Sequence, residues 1–286
     1  MLTKYVIIII IHCTLNINSI YYLYSKNTLN IERRYTMRII ALANQKGGVA
    51  KTTSTYNLAC IKAMQGNKVL MVDLDPQASL TISCGIEPGE KQYSTSHLFD
   101  SKTDPVDCVY SVKSSKQDNL YIIPSDIDLA ETETFLFAKT NREKQLKKSL
   151  VKLEEYFDYI FIDCPPQLGL LSMNALVAAN EVIIPVKTDY LSYRGLRALV
   201  TTIETVQSDE DLNSELKLDG IIATMYEKNV KDQRDILVLL ELKANLLGII
   251  KKGVDSYKSI IDGVPAVIGN PKSDIAQSYI EIANKI

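Results

Sequence analysis

Tryptophan is absent from this 286-residue chain, histidine occurs only twice, and no proline-, glycine- or serine-rich stretch divides it. His12 and His97 are too few for a histidine-based metal centre. The five cysteines (Cys13, Cys60, Cys84, Cys108, Cys164) are odd in number and contain no C-x-x-C pair, which argues against a disulfide framework or a zinc site. Charge bias is lacking too. Lysine and arginine total 32 against 34 acidic residues, a net charge of −2, so the chain is neither a basic tail nor a self-repelling disordered segment. What remains, 46% hydrophobic residues over this length and no internal repeat, is enough to bury a large core.

Residues 1–36 have a composition of their own, with no Gly, Ala, Asp or Pro, and five consecutive isoleucines at 7–11. Lys4 followed by the apolar run Tyr5 to Ile11 imitates the start of a signal peptide, but no small-residue cleavage site follows. The run is also too short to span a bilayer. Ile, Asn, Tyr, Lys and Leu are what an AT-rich non-coding stretch yields when translated. Glu32-Arg33-Arg34 can be encoded as a purine-rich ribosome-binding sequence just ahead of Met37. Translation is therefore expected to begin at Met37, with residues 1–36 a mis-assigned start or, failing that, a disordered or membrane-touching extension.

From Met37 onward short apolar runs alternate with helical patterns, the sign of a parallel sheet covered on both faces. Strands are expected at 38–44, 68–73, 119–123, 158–163, 181–186, 218–224 and 247–250. Helices are expected at 52–64, 141–155, 169–179, 192–207, 231–244 and 272–285. The expected fold is one doubly wound α/β domain over 37–286, with its ligand at the carboxyl ends of the strands.

The first strand leads into Asn44-Gln45-Lys46-Gly47-Gly48-Val49-Ala50-Lys51-Thr52-Thr53. The ordinary phosphate-binding loop, G-x-x-x-x-G-K-[ST], uses backbone N–H groups to cradle phosphates, its lysine to reach the β/γ-phosphates and its hydroxyl to hold Mg²⁺. Lys51 and Thr52 fill the last two roles. Gln45 and Ala50 replace both pattern glycines, while Gly47 and Gly48 still permit close backbone approach. The helix that follows would aim its free N–H groups and positive dipole end at the phosphates. Two further strands end in carboxylates, Val72-Asp73-Leu74-Asp75-Pro76-Gln77 and Tyr159-Ile160-Phe161-Ile162-Asp163-Cys164-Pro165-Pro166. Acids at strand ends beside a phosphate loop can organise Mg²⁺ or an attacking water. No glutamate follows Asp163 to act as base, which leaves that task to Asp75. Cys164 has no partner cysteine nearby and is read as a small packing residue.

These motifs resemble those of the deviant Walker A ATPases, the ParA/MinD class, whose loop reads K-G-G-V-G-K-T-[TS] and whose later motifs are D-x-D-P-Q and D-C-P-P or D-T-P-P. Ala50 for Gly is the only departure inside the loop. The resemblance covers about 37–286, and Thr224-Met225-Tyr226 is close to that of the Soj/ParA branch. It implies ATP and Mg²⁺ as cofactors, with nucleotide held by Lys46, Gly47, Gly48, Val49, Ala50, Lys51, Thr52 and Thr53. Metal would be held by Thr52, Asp73 and Asp163. Lys46, Lys51 and Asp75 would be catalytic, with Lys46 reaching a partner subunit's nucleotide across an ATP-dependent homodimer. By the same resemblance the chain is a cytoplasmic, nucleoid-associated DNA-partitioning ATPase. It would bind DNA without sequence preference and be stimulated by a ParB-type partner.

Departures concentrate in the last third. Ile250-Lys251-Lys252-Gly253 stands where relatives have I-P-R-N near the adenine, and two arginine positions that contact DNA in some relatives fall at Glu204 and near Asn229. Basic candidates for phosphate contact are Arg194, Arg197, Lys228, Lys231, Arg234, Lys251, Lys252 and Lys258. The alternative is a membrane-associated positioning ATPase of the MinD type, which would need a basic amphipathic C-terminal helix. The last residues, Ser278 to Ile286, carry one lysine, one glutamate and no Trp or Phe. They read as a helix that packs into the core and argue against a membrane.

Overall fold

A computed structural model describes residues 37–253 and 263–286. Cys13, His12, Lys258 and the expectation about where translation begins lie outside the described residues. Met37–Ile286 forms one compact unit. Eight strands make up its sheet: β1 Arg38–Leu42, β2 Val69–Asp73, β3 Tyr110–Ser111, β4 Leu120–Ile123, β5 Tyr159–Asp163, β6 Glu181–Lys187, β7 Lys217–Tyr226 and β8 Leu246–Lys251. Their spatial order is β3-β4-β2-β5-β1-β6-β7-β8. Every described neighbouring pair is parallel except β3 with β4.

Because the inner strands are covered on both faces, their sequences read as continuous apolar runs, and alternate residues feed two cores. Ile39 and Ala41 face one core with Leu70, Val72, Ile160 and Ile162, while Ile40 and Leu42 face the other with Val69, Met71 and Phe161. On the second face lie α1 (Lys51–Met64), α2 (Ser79–Ser83), α8 (Ala266–Gly269) and α9 (Asp274–Ala283). The first is covered by α3 (Asp128–Leu136), α4 (Gln145–Leu150), α5 (Leu170–Ala178), α6 (Tyr190–Ser208) and α7 (Lys231–Glu241). The doubly wound expectation is met.

All seven expected strands are present. β3 was not anticipated, because two residues on an antiparallel edge carry no periodicity. α2, α3 and α8 were also missed, α2 and α8 being too short to leave a clear apolar stripe. The helix expected over 141–155 is broken into 3₁₀ turns at 142–144 and 151–153 around α4, and it starts from Asn141 in left-handed conformation (φ 49°). The final helix packs as expected. Ile275, Ala276, Tyr279, Ile282 and Ala283 are buried, and the Tyr279 hydroxyl lies 3.0 Å from Ser54 Oγ on α1.

Candidate nucleotide site

The carboxyl ends of β1, β2, β5, β7 and β8 open on one cavity of about 690 Å³. Gly47, Gly48, Ala50, Lys51, Thr52 and Thr53 line one end of it, Asp75 and Gln77 stand at its side, and Thr224, Met225 and Ile250 to Gly253 form the other end. A Cβ built on Gly47 or Gly48 would meet no protein atom within 4 Å, so the space beside these two residues is open. The loop ends at Ala50, which caps α1 from the left-handed region (φ 67°, ψ 31°) and supplies no side-chain hydrogen bond. The first N–H groups of α1 are thus left without a side-chain cap beside the cavity, the arrangement that favours an anion.

The loop is clamped from outside. Asn44 Nδ2 donates to the Pro185 carbonyl (2.7 Å) while its Oδ1 accepts from Lys46 N (2.9 Å), and the Thr224 hydroxyl donates to the Val49 carbonyl (3.1 Å). Lys51 is buried, and its Nζ lies 3.4 Å from the Lys46 carbonyl. Thr52 Oγ1 donates to Asp163 Oδ2 at 2.6 Å. These two side chains, expected to share a magnesium ion, are already neighbours. Such an oxygen pair is the donor type that Mg²⁺ takes.

Asp73 and Asp163 sit at matched positions of β2 and β5. Burial raises the pKa of Asp163 and the Asp73 carboxylate adds to this, against the pull of the Thr52 hydroxyl and the Lys51 ammonium. Burial likewise raises Asp73, although that residue accepts from Thr81 Oγ1 (2.7 Å), Thr81 N (2.8 Å) and Asp75 N (3.2 Å). Its hydrogen bonds organise the segment that carries Asp75 toward the cavity. Asp75 is half-buried, and its carboxylate accepts from Gln77 N (3.0 Å). Cys164 is buried, and burial holds its thiol well above the ordinary value, in line with a packing role.

Lys46 is placed differently from its loop neighbours. Its Nζ reaches Asp189 Oδ1 (3.0 Å), Asp189 Oδ2 (3.1 Å) and Ser192 Oγ (2.9 Å), away from the residues lining the cavity. Asp189 is also the N-cap of α6, accepting from Ser192 N (2.8 Å), and it pairs with Lys187 (3.3 Å). Burial pushes the Asp189 carboxyl up, but the hydrogen bonds from Ser192, Lys46 and Lys187 outweigh it and hold the group well below the usual carboxylate range. Asp189, Ser192, Asn44 and Thr81 were given no role from sequence, and Thr224 was noted only as part of the Thr224-Met225-Tyr226 segment. The one advance signal was Asp189 three residues before Ser192 at the head of an apolar-periodic run, an N-cap pattern.

The basic candidates divide. Lys251 and Lys252 line the cavity and pair with Asp274 (2.7 Å) and Glu227 (3.1 Å). Arg194 lies 6.0 Å over the Tyr190 ring, and Arg194, Arg197, Lys228, Lys231 and Arg234 are exposed and form no ion pair among the described residues. α6, which carries Arg194 and Arg197, contacts α7, which carries Lys231 and Arg234, and Glu204 is exposed on the same α6. No described helix is long and apolar enough to cross a membrane.

A family described as AAA domain matches residues 37–218. The chain is 36% identical over 254 residues to the sporulation initiation inhibitor protein Soj of Bacillus subtilis, covering 87% of this chain and 98% of that one. It is 35% identical over 253 residues to the chromosome-partitioning ATPase Soj of Treponema pallidum, covering 87% and 96%. Among solved structures, cobyrinic acid a,c-diamide synthase from Mycobacterium smegmatis with bound ADP and magnesium superposes with a TM-score of 0.74 at 34% identity, covering 87% and 93%.

Proposed function

The chain belongs to the AAA-domain family that includes the Soj and ParA chromosome-partitioning ATPases, and on that premise we propose that it is an ATP-hydrolysing DNA-partitioning protein. The observation that carries the reading is the Thr52–Asp163 pair at 2.6 Å beneath an uncapped helix N-terminus, with Asp75 lining the same cavity. ATP would lie with its phosphates along Gly47 to Thr53, Lys51 beside them, and Mg²⁺ on Thr52 and Asp163. Bound Mg²⁺ neutralises charge on the phosphates and polarises them. Asp75 would orient the attacking water, held in place by its own amide on Asp73. Lys46 would leave Asp189 to meet the nucleotide of a second subunit, so that ATP closes a homodimer.

The closed dimer would bind DNA without sequence preference, with Arg194, Arg197, Lys228, Lys231 and Arg234 as its phosphate contacts, and a ParB-type partner would trigger hydrolysis. The MinD-type alternative draws no support from α9, whose apolar face is spent on the core. The test is retention on random-sequence duplex DNA with ATP, ADP or no nucleotide at one stated salt concentration. Retention with ATP alone supports the reading. ATP-independent retention, or none, counts against it.

A further inference from the structure

Asp75 reaches the cavity from a turn that is held largely by itself. Its carboxylate accepts from Gln77 N (3.0 Å) and its carbonyl accepts from Ala78 N (2.8 Å), both inside the turn. The Asp75 amide, by contrast, donates to Asp73 Oδ1 (3.2 Å) at the end of β2. The direction in which Asp75 points therefore depends on how the buried Asp73 carboxylate is rotated about its own axis.

Thr81 fixes that rotation. Its N–H (2.8 Å) and its Oγ1 (2.7 Å) both donate to Asp73 Oδ2, which leaves Oδ1 turned to the Asp75 amide. The hydroxyl itself is held from behind. Ser125 N, two residues past β4, donates to Thr81 Oγ1 (2.8 Å). A threonine hydroxyl has one proton, and the Ser125 N–H can only donate, so that proton is committed to Asp73. Thr81, Asp73 and Ser125 are all buried, and the Ser125 hydroxyl has no hydrogen-bond partner among the described residues, so the backbone N–H alone makes this link. Thr81 lies on α2, whose other side, Ser79, Ile82 and Ser83, lines the cavity. Ala78, in left-handed conformation (φ 53°), joins the Asp75 turn directly to that helix.

We propose that Thr81 is a positioning residue for hydrolysis: its hydroxyl, braced by Ser125 N, locks the Asp73 carboxylate so that Asp73 holds Asp75 at the angle from which it orients water. Its effect on turnover rests on the ATPase reading above, while the placement of Asp75 is measured without turnover. A bond that only completes the burial of Asp73 would cost stability and leave the chemical step alone. A bond that aims Asp75 acts on the chemical step, where a misplacement of about 1 Å can cost on the order of a hundredfold.

Thr81→Val keeps the shape and removes the hydroxyl, and Thr81→Ser keeps the hydroxyl. In the full chain, Thr81→Val is expected to lower kcat for ATP by about tenfold or more while the apparent KM moves by less than about twofold, the sign of an interaction used only in the transition state. Thr81→Ser should restore most of that loss. In the Asp75→Ala background Thr81→Val should lower turnover no further, because the two residues act as one unit. Hydrogen exchange across residues 74–78 should be faster in Thr81→Val than in the parent or in Thr81→Ser. Thr81→Ala takes the place of the valine variant if that chain does not fold. Unchanged kcat, equal losses in Thr81→Val and Thr81→Ser, a further loss in the Asp75→Ala background, or unchanged exchange across 74–78 each overturns the proposal. A parent chain that does not hydrolyse ATP, yet shows the exchange difference, would sink the function proposed above and leave the placement of Asp75 by Thr81 standing.

Discussion

Replacing Ala50 by glycine should stabilise the protein, and the reason lies in one backbone dihedral. The loop requires two residues in left-handed conformation, and glycine supplies only one of them: Gly48 sits at φ 68° and Ala50 at φ 67°. A non-glycine residue there crowds its Cβ against the following carbonyl, which costs about 1–2 kcal/mol. Glycine removes that strain but gives the unfolded chain more freedom, worth about 0.4–1 kcal/mol in the opposite sense. The N-cap position adds to the gain, since Gly caps better than Ala. The net expectation is a stabilisation of about 0.5–1 kcal/mol, equivalent to roughly 1–4 °C in Tm for a unit of this size. Thermal unfolding of the nucleotide-free protein, followed by circular dichroism and calorimetry, measures it, and Ala50→Val, β-branched at the same dihedral, should move Tm the other way. A glycine variant with native circular dichroism and a Tm at or below that of the parent would refute the strain at Ala50.

Three further outcomes are expected. Asp75→Ala should retain ATP but lose at least about a hundredfold in turnover, accumulating as an ATP-bound dimer in size-exclusion chromatography, and full turnover removes Asp75 from the mechanism. Asp189→Ala should cost about 1 kcal/mol through loss of the α6 cap, whereas Asp189→Asn, which keeps the acceptor for Ser192 N and drops the charge facing Lys46 and Lys187, should cost less than half of that. Equal losses in urea unfolding would mean that the ion pairs, and not the cap, dominate. Asp219 Oδ2 is buried without a hydrogen-bond partner among the described residues, and burial, reinforced by Glu181 and opposed by Arg38, raises its pKa. A carboxyl raised in the fold is most compatible with folding below its unfolded value of about 3.9, and that contribution is lost as pH rises through the folded value. Asp219→Asn should therefore gain stability over wild type at pH 7 and lose that gain near pH 4, and a gain that does not vary with pH contradicts the assignment.

The sheet was legible because its central strands are buried on both faces, and a run such as Ile39 to Leu42 can be little else. The phosphate loop was legible because close approach of backbone to phosphate restricts residue type at several consecutive positions, a constraint local in sequence. Asp73 and Asp163 were legible for the related reason that each ends a strand beside that loop, and Asp75 because it follows Asp73 by two residues. What escaped depends on contacts between residues far apart in the chain. Nothing around Lys46 announces that its ammonium meets Asp189, 143 positions away, and nothing around Asp73 announces that Thr81 and Ser125 continue its hydrogen bonds toward α3. α3 itself was hidden because its apolar residues point both ways, Leu129 and Leu136 inward and Ile127 and Phe135 outward, which blurs the one-sided stripe that identifies a helix against a core. That blurring follows from how folded surfaces are made: much of any surface is apolar, so Ile127 and Phe135 can face outward on a nine-residue helix whose inner side is already filled by Leu129 and Leu136.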